Sequence, residues 1–96
     1  MSVKQTYRSR KWLAAVGQID QCVLCGRYGT QVAHRNEGKG FGLKVDDSLT
    51  AALCVDCHHE IDNGNQLNRE QRRALMDRAI VLTIRELTRN DLVAPK

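Results

Sequence analysis

The chain has 96 residues, a formal net charge of +4 and a hydrophobic content of 42%. This length makes one small domain, spanning 1–96, with one Trp, one Phe and two Tyr for its core. We expect no membrane-spanning segment in it, since no apolar run approaches the length of a membrane span. So small a core indicates that a cross-link or a metal stabilises the fold.

The first ten residues are polar and basic, without the apolar run of a signal peptide. We therefore expect a cytoplasmic protein, in which cysteines stay reduced. The basic balance is compatible with a nucleic-acid partner, although charge alone does not identify one.

The first predicted elements are a helix over 9–19 and the turn that follows it. Ser9 is a candidate helix cap, and three apolar side chains share one helical face: Trp12, Val16 and Ile19. Residues 22–26 then form a turn, in which Gly26 gives the backbone room to fold back.

Two short strands are predicted over 30–34 and 49–53, with a long loop between them. A loop of this length inside a compact domain is more often functional than decorative. Its alternating glycines, at 38, 40 and 42, allow close approach of the backbone to a ligand. Lys39 and Lys44 lie nearby in the chain and can bind a phosphate.

Two helices are predicted after the strands. The first begins at Cys57 and is closed by Asn63-Gly64. The second, about 68–89, begins at the candidate cap Asn68, with Gln71 at capping-box spacing. Its apolar stripe consists of Met76, Ile80, Ile84 and Leu87, widened by Leu75, Ala79 and Leu82. Another face of this helix carries Arg78, Arg85 and Arg89. This face is either a solvated basic surface or a contact with the DNA backbone.

The four cysteines form two C-x-x-C pairs with 28 residues between them: Cys22 and Cys25, then Cys54 and Cys57. Each pair can offer two thiolates to one tetrahedral ion, so the two pairs complete a closed structural zinc site. Redox-active pairs are a weaker alternative, because no thioredoxin-like pattern of strand and helix surrounds them. Haem attachment at Cys54-Val-Asp-Cys57-His58 requires export and leaves the first pair unexplained.

Several runs follow one another in a specific order over residues 8–64, with a core motif at about 20–64. They are Cys22-x-x-Cys25, Ala33-His34-Arg35, the glycine loop, Lys44-x-Asp46-Asp47 and Leu53-Cys54-x-x-Cys57-His58-x-Glu60-Ile61-Asp62. This order resembles HNH-type nucleases of the ββα-metal class, and more closely the small HNH-like endonucleases of phages and prophages. The resemblance implies a small zinc-stabilised α+β domain of ββα-metal type, with one N-terminal helix and a longer C-terminal helix.

The resemblance also implies an activity, the metal-dependent hydrolysis of DNA phosphodiester bonds. His34 takes the position of the general base, and His58 that of a ligand to one catalytic divalent ion, Mg²⁺ or Mn²⁺, distinct from the structural zinc. Lys44 or Arg35 would neutralise charge in the transition state. Asp47 is the preferred second ligand, because the resembling phage proteins have an acidic pair before the second strand.

The implied substrate is DNA, including single-stranded or branched DNA. The apolar C-terminal helix can serve either the core or a homodimer interface. A phage recombination or replication protein is a further partner compatible with so small a domain.

The sequence departs from the HNH pattern at two positions. Many HNH enzymes carry a metal-binding Asp directly before the base histidine, where this chain has Ala33, and the family's middle Asn is missing from 48–50. The second ligand therefore stays open among Asp47, His59 and Asp62, and Asp62 can equally cap or pair locally. The rival functions are a zinc-stabilised nucleic-acid-binding module without catalysis and a protein-interaction zinc module.

Overall fold

The structure, a computed structural model, describes residues 6–35 and 45–94. In these ranges the chain order is α1 (Arg10–Gly17), β1 (Gln31–His34), β2 (Thr50–Leu53), α2 (Val55–Asn63) and α3 (Arg69–Arg89). The predicted α+β class, with two short strands between helices, is confirmed. The loop glycines at 38, 40 and 42, together with Lys39 and Lys44, lie outside the described residues. Among the helices described, none has the length and apolar character needed to cross a membrane.

The two strands form an antiparallel pair, in which His34 faces Thr50 at the loop end. All four residues of β2 are buried, whereas β1 is fully buried only at Ala33. Because side chains alternate along a strand, Ala33 and Ala51 share a face, which packs against α2 and α3. The opposite face carries Ala52 and packs against α1. These small side chains let helices approach the sheet from both sides.

The edge of β2 that faces away from β1 is paired with two other parts of the chain. The Val23 N–H donates to the carbonyl oxygen of Ala52 at 3.1 Å, and the Ala52 N–H donates to the Thr83 hydroxyl at 3.2 Å. The predicted stripe of α3 is confirmed at four positions, Met76, Ala79, Ile80 and Leu87. It is wrong at Ile84, which is 41% exposed, while Thr83 is fully buried. A polar residue stands in the core here because the β2 edge needs a hydrogen-bond partner.

Replacing Thr83 with Val keeps the shape of the side chain but removes the acceptor for the Ala52 N–H. We expect the free energy of unfolding to fall by about 1–3 kcal/mol, the cost of a buried unpaired donor. Chemical denaturation of the zinc-loaded protein measures this loss. Thr88→Val is the matched control, because the Thr88 hydroxyl is exposed and donates within its own helix. Equal losses in the two variants would contradict the role of Thr83.

The helix starts follow local capping. The Ser9 hydroxyl accepts the Trp12 N–H at 3.0 Å, and Asn68 forms the predicted capping box with Gln71. Helix α2 begins at Val55, two residues earlier than predicted, because the sulfur of Cys54 caps its first turn.

The end of α2 at Gly64 depends on close approach of the backbone. Gly64 has an extended conformation, with φ −69° and ψ 156°, rather than the left-handed one common at helix ends. A Cβ at Gly64 would lie 2.6 Å from the carbonyl oxygen of Glu60, so glycine is required here by space. Arg72 of α3 donates to the Gly64 carbonyl at 2.7 Å and ties the connection between α2 and α3.

Candidate functional site

The first cysteine pair lies on a tight turn between α1 and β1. The Cys22 N–H donates to the Arg27 carbonyl, and the Gly26 N–H donates to the Cys22 carbonyl, both at 2.8 Å. Gly26 has a φ of +81°, which side chains rarely tolerate, so its predicted role in the turn is confirmed. The turn buries Cys22 and leaves Cys25 exposed.

The second pair lies where β2 ends and α2 begins. Cys54 is the N-cap of α2, and its sulfur accepts the Cys57 N–H at 3.4 Å. Cys54 is buried and Cys57 is half-buried. The first turn of a helix favours negative charge, so this position suits a thiolate.

The four sulfur atoms lie within 4.8 Å of one another. The Cys25 and Cys54 sulfurs are 3.6 Å apart, far beyond a disulfide bond of about 2.05 Å. A tetrahedral zinc ion with Zn–S bonds of about 2.3 Å holds its sulfurs about 3.8 Å apart. The four cysteines therefore fit a structural zinc site, in agreement with the prediction from their spacing.

Among the four thiols, the surroundings of Cys22 favour its ionisation first. Burial opposes the thiolate of Cys22, but backbone N–H groups outweigh burial and lower the pKa of Cys22 to about 6. Burial and the neighbouring sulfurs raise the pKa of Cys57 above its ordinary value. A metal that binds all four sulfurs must displace the Cys57 proton, so zinc affinity falls as the pH falls.

His34 forms a pair with Asp47 at the loop end of the hairpin. The distance from His34 Nε2 to Asp47 Oδ1 is 3.0 Å. The side chain of His34 is 31% exposed, whereas that of Asp47 is 5% exposed. A buried carboxylate thus holds an imidazole that solvent can reach.

The segment before α1 supplies further partners of Asp47. The Ser9 N–H donates to Oδ2 at 2.7 Å, and Arg8 Nη1 donates to Oδ1 at 2.9 Å. Hydrogen bonds from His34, Ser9 and Arg8 hold the pKa of the Asp47 carboxyl below its usual range. The role of Asp47 as a ligand of a catalytic ion stays a prediction; in the structure both its oxygens accept hydrogen bonds from the protein.

His58 lies on α2 between two oxygen atoms. Its Nδ1 is 2.8 Å from Gln31 Oε1, and its Nε2 is 3.0 Å from Asp62 Oδ2, one helical turn later. The side chains of His58 and Asp62 are 27% and 24% exposed, so a ligand can reach them. When Nδ1–H donates to Gln31, the Nε2 lone pair faces a carboxylate, and the two repel unless a proton or a cation lies between them.

The strand β1 contributes to both histidine pairs. Gln31 at its start contacts His58, and His34 at its end contacts Asp47. Three positions separate Gln31 from His34, so their side chains project to opposite faces of the hairpin. The two histidines are thus held by separate sets of partners, one on the α2 side and one on the α1 side.

The other predicted site residues have different surroundings. Lys44 lies outside the described residues. Arg35 pairs with Asp77 of α3, with 3.0 Å between Nε and Oδ1. His59 is exposed on α2. Ala33, at the position of the HNH acidic ligand, is 1% exposed and packs in the core with α3.

Comparisons with protein-family models, curated proteins and solved structures find no significant match. No family is assigned. In the described ranges, the four cysteines are the only group of three or more His, Cys, Asp or Glu side chains that lie close enough together to hold one metal ion. The candidate site is therefore interpreted from its own geometry, with the cysteine cluster as its metal centre and the two histidine pairs beside it.

Three partners of the histidine pairs were not expected from the sequence: Gln31, Arg8 and the Ser9 N–H. Ser9 has a local signal as a helix cap, but its contact with Asp47 spans 38 positions of the chain. No sequence pattern around Arg8 or Gln31 indicates which residues they contact. Only the proximity of the hairpin to the start of α1 and to α2 reveals them.

Proposed function

We propose that this protein is a metal-dependent endonuclease of HNH type that hydrolyses DNA phosphodiester bonds. The observation that carries the proposal is the order β1, β2, α2, with His34 at the end of β1 and the His58–Asp62 pair on α2. The cysteine cluster supports it, because a zinc ion there would join the turn before β1 to the start of α2. The net charge is +4 from the sequence and about +2 once four thiolates and one Zn²⁺ are included, and a positive charge suits a polyanionic substrate.

The His58–Asp62 pair is our candidate binding site for the catalytic divalent ion. In octahedral Mg²⁺ sites, with bonds of about 2.1 Å, neighbouring ligand atoms lie about 3.0 Å apart. His58 Nε2 and Asp62 Oδ2 have this separation, 3.0 Å, which equally suits a direct hydrogen bond between them. Mg²⁺ typically uses one or two protein carboxylates together with waters and substrate phosphates, so few protein ligands suffice. Gln31 would orient His58 by accepting its Nδ1–H. Asp62, rather than Asp47, is therefore the second ligand in this proposal.

His34 is the general base of the proposed reaction. Because His34 and His58 lie on opposite faces of the hairpin, the scissile phosphate would have to lie at the edge of β1 for both side chains to reach it. Its imidazole accepts a proton from the attacking water, whose oxygen bonds to phosphorus. The bond from phosphorus to the leaving oxygen breaks, and this oxygen takes a proton from solvent. When bound, the divalent ion supplies Lewis-acid stabilisation of the charge on the phosphate and the leaving oxygen.

The test is plasmid cleavage by zinc-loaded protein dialysed free of other divalent ions. We expect nicked or linear plasmid only after Mg²⁺ or Mn²⁺ is added. Asp62→Asn should raise the ion concentration for half-maximal cleavage about 10- to 100-fold, whereas Glu70→Gln, an exposed acid at the start of α3, should not. No cleavage of single- or double-stranded DNA with either ion would contradict the proposal.

The second candidate is a zinc-stabilised nucleic-acid-binding module without catalysis. The buried Ala33 favours it, because this position supplies no ion ligand. Both functions predict DNA binding that weakens as salt increases, so binding does not separate them. Binding without metal-dependent cleavage would support the second candidate. No DNA affinity at moderate salt would support a protein-interaction module.

A further inference from the structure

The carboxylate of Asp47 lies at the centre of a hydrogen-bond network around His34. Asp47 is 4% exposed, and the Ser9 N–H donates to its Oδ2. Its Oδ1 is shared between Arg8 and His34. Arg8 and Asp47 are 39 positions apart in the chain, so this contact fixes the start of α1 against the hairpin.

The backbone of Asp47 is held as firmly as its side chain. Its N–H donates to the Tyr7 carbonyl at 2.9 Å, and its carbonyl accepts the Thr50 hydroxyl at 2.8 Å. Trp12 Nε1 in turn donates to the Thr50 hydroxyl at 3.1 Å. The carboxylate therefore has a defined position relative to both α1 and β2, as a group that orients another side chain requires.

A carboxylate accepts hydrogen bonds and donates none, so the His34 nitrogen that contacts Asp47 carries the proton. In the neutral ring, the lone pair then lies on Nδ1. We propose that Asp47 is a positioning residue, which holds His34 in its Nε2–H form and leaves Nδ1 to accept the proton of the attacking water. Its catalytic meaning rests on the proposed nuclease function, whereas the ring geometry can be tested without DNA.

This role differs from that of an ion ligand. A ligand carboxylate needs an oxygen lone pair directed at the ion, whereas Asp47 already receives donors on both oxygens from three residues: Arg8, Ser9 and His34. Arg8 also brings its positive charge to 2.9 Å from Oδ1, the Asp47 oxygen that contacts His34. The carboxylate therefore stays in place when the imidazole gains or loses a proton.

The first test is ¹⁵N–¹H NMR of the imidazoles in the zinc-loaded protein, without DNA or a second ion. We expect His34 to show a slowly exchanging Nε2–H proton and an unprotonated Nδ1. Asp47→Ala should lose this proton resonance. Asp46→Ala should keep it, because Asp46 binds the Tyr7 N–H instead. A wild type without the resonance, or an Asp47→Ala variant that keeps it, would overturn the inference. The wild-type spectrum alone decides if Asp47→Ala does not fold.

The second test is a double-mutant cycle in the plasmid cleavage assay. Asp47→Ala should lower kcat with little change in KM, by no more than the roughly 10²–10⁴-fold that a general base contributes. On the His34→Ala background, assayed at a protein concentration and time that keep its residual cleavage measurable, the same substitution should cost nothing further, because Asp47 acts through His34. A further loss on that background would overturn the positioning role in favour of an ion ligand. If the wild type shows the resonance but cleaves no DNA, the nuclease proposal fails and the positioning of the ring stands.

Discussion

Removal of the metal from the four-cysteine cluster is expected to unfold this protein. The sheet has two strands of four residues each, and Cys22 and Cys54 are part of its larger hydrophobic cluster. Structural zinc contributes about 10–16 kcal/mol in zinc-finger peptides at neutral pH, comparable to the whole net stability of a small domain. Without the ion, the turn that carries Cys22 loses its main connection to α2.

A chelator titration, followed by circular dichroism and thermal melting, measures this dependence. We expect one zinc ion per chain and loss of the cooperative transition once the ion is removed. Cys54→Ser should have the same effect, while Val55→Ser, a neighbouring change at a 60% exposed side chain, should leave the transition in place. A metal-free chain with a cooperative transition within about 5 °C of the zinc-loaded form would contradict this prediction.

The second large effect is expected from His34→Ala in the plasmid cleavage assay. A general base contributes about 10²–10⁴-fold to a rate, so cleavage should fall by at least this range or below detection. The imidazole is 31% exposed and makes its contact with Asp47 at the loop end of the hairpin, so its removal leaves the core intact. Zinc content and melting temperature should therefore stay near those of the wild type.

His59→Ala is the matched control for this loss, because His59 is exposed on α2 beside His58. We expect its cleavage rate to stay within about twofold of the wild type, since surface substitutions rarely change more. Persistent cleavage by His34→Ala would exclude His34 as the base. Equal loss in both variants would show either general damage or a role of His59 as the second ion ligand, and zinc content and melting temperature separate the two.

Features encoded over a few neighbouring residues were predictable. The capping box of Asn68 and Gln71, the cap at Ser9 and the left-handed turn at Gly26 each depend on residues within four positions. The cysteine spacing predicted a metal cluster because zinc needs four ligands and each C-x-x-C pair can supply two. Local hydrogen-bond geometry and ligand chemistry were sufficient for these elements.

The interior of α3 shows where the sequence pattern failed. Apolar periodicity favoured Ile84 for the core, yet Thr83 occupies the buried position. The deciding group is the N–H of Ala52, which is 31 positions away and needs an acceptor on the edge of β2. A hydropathy pattern does not register that a distant backbone N–H needs a hydrogen-bond acceptor, so the pattern did not predict Thr83 in the core.

The sequence by itself determined the four-cysteine cluster, the α+β class and the positions of His34 and His58 in their elements. Only the tertiary structure decided two of their partners: Asp47 for His34, and Gln31 for His58. Asp62 lies one helical turn from His58, but the contacts of Asp47 and Gln31 cross 13 and 27 positions. Ligand spacing and helix period are local properties of the chain, whereas these hydrogen bonds exist only after the hairpin has packed between α1 and α2.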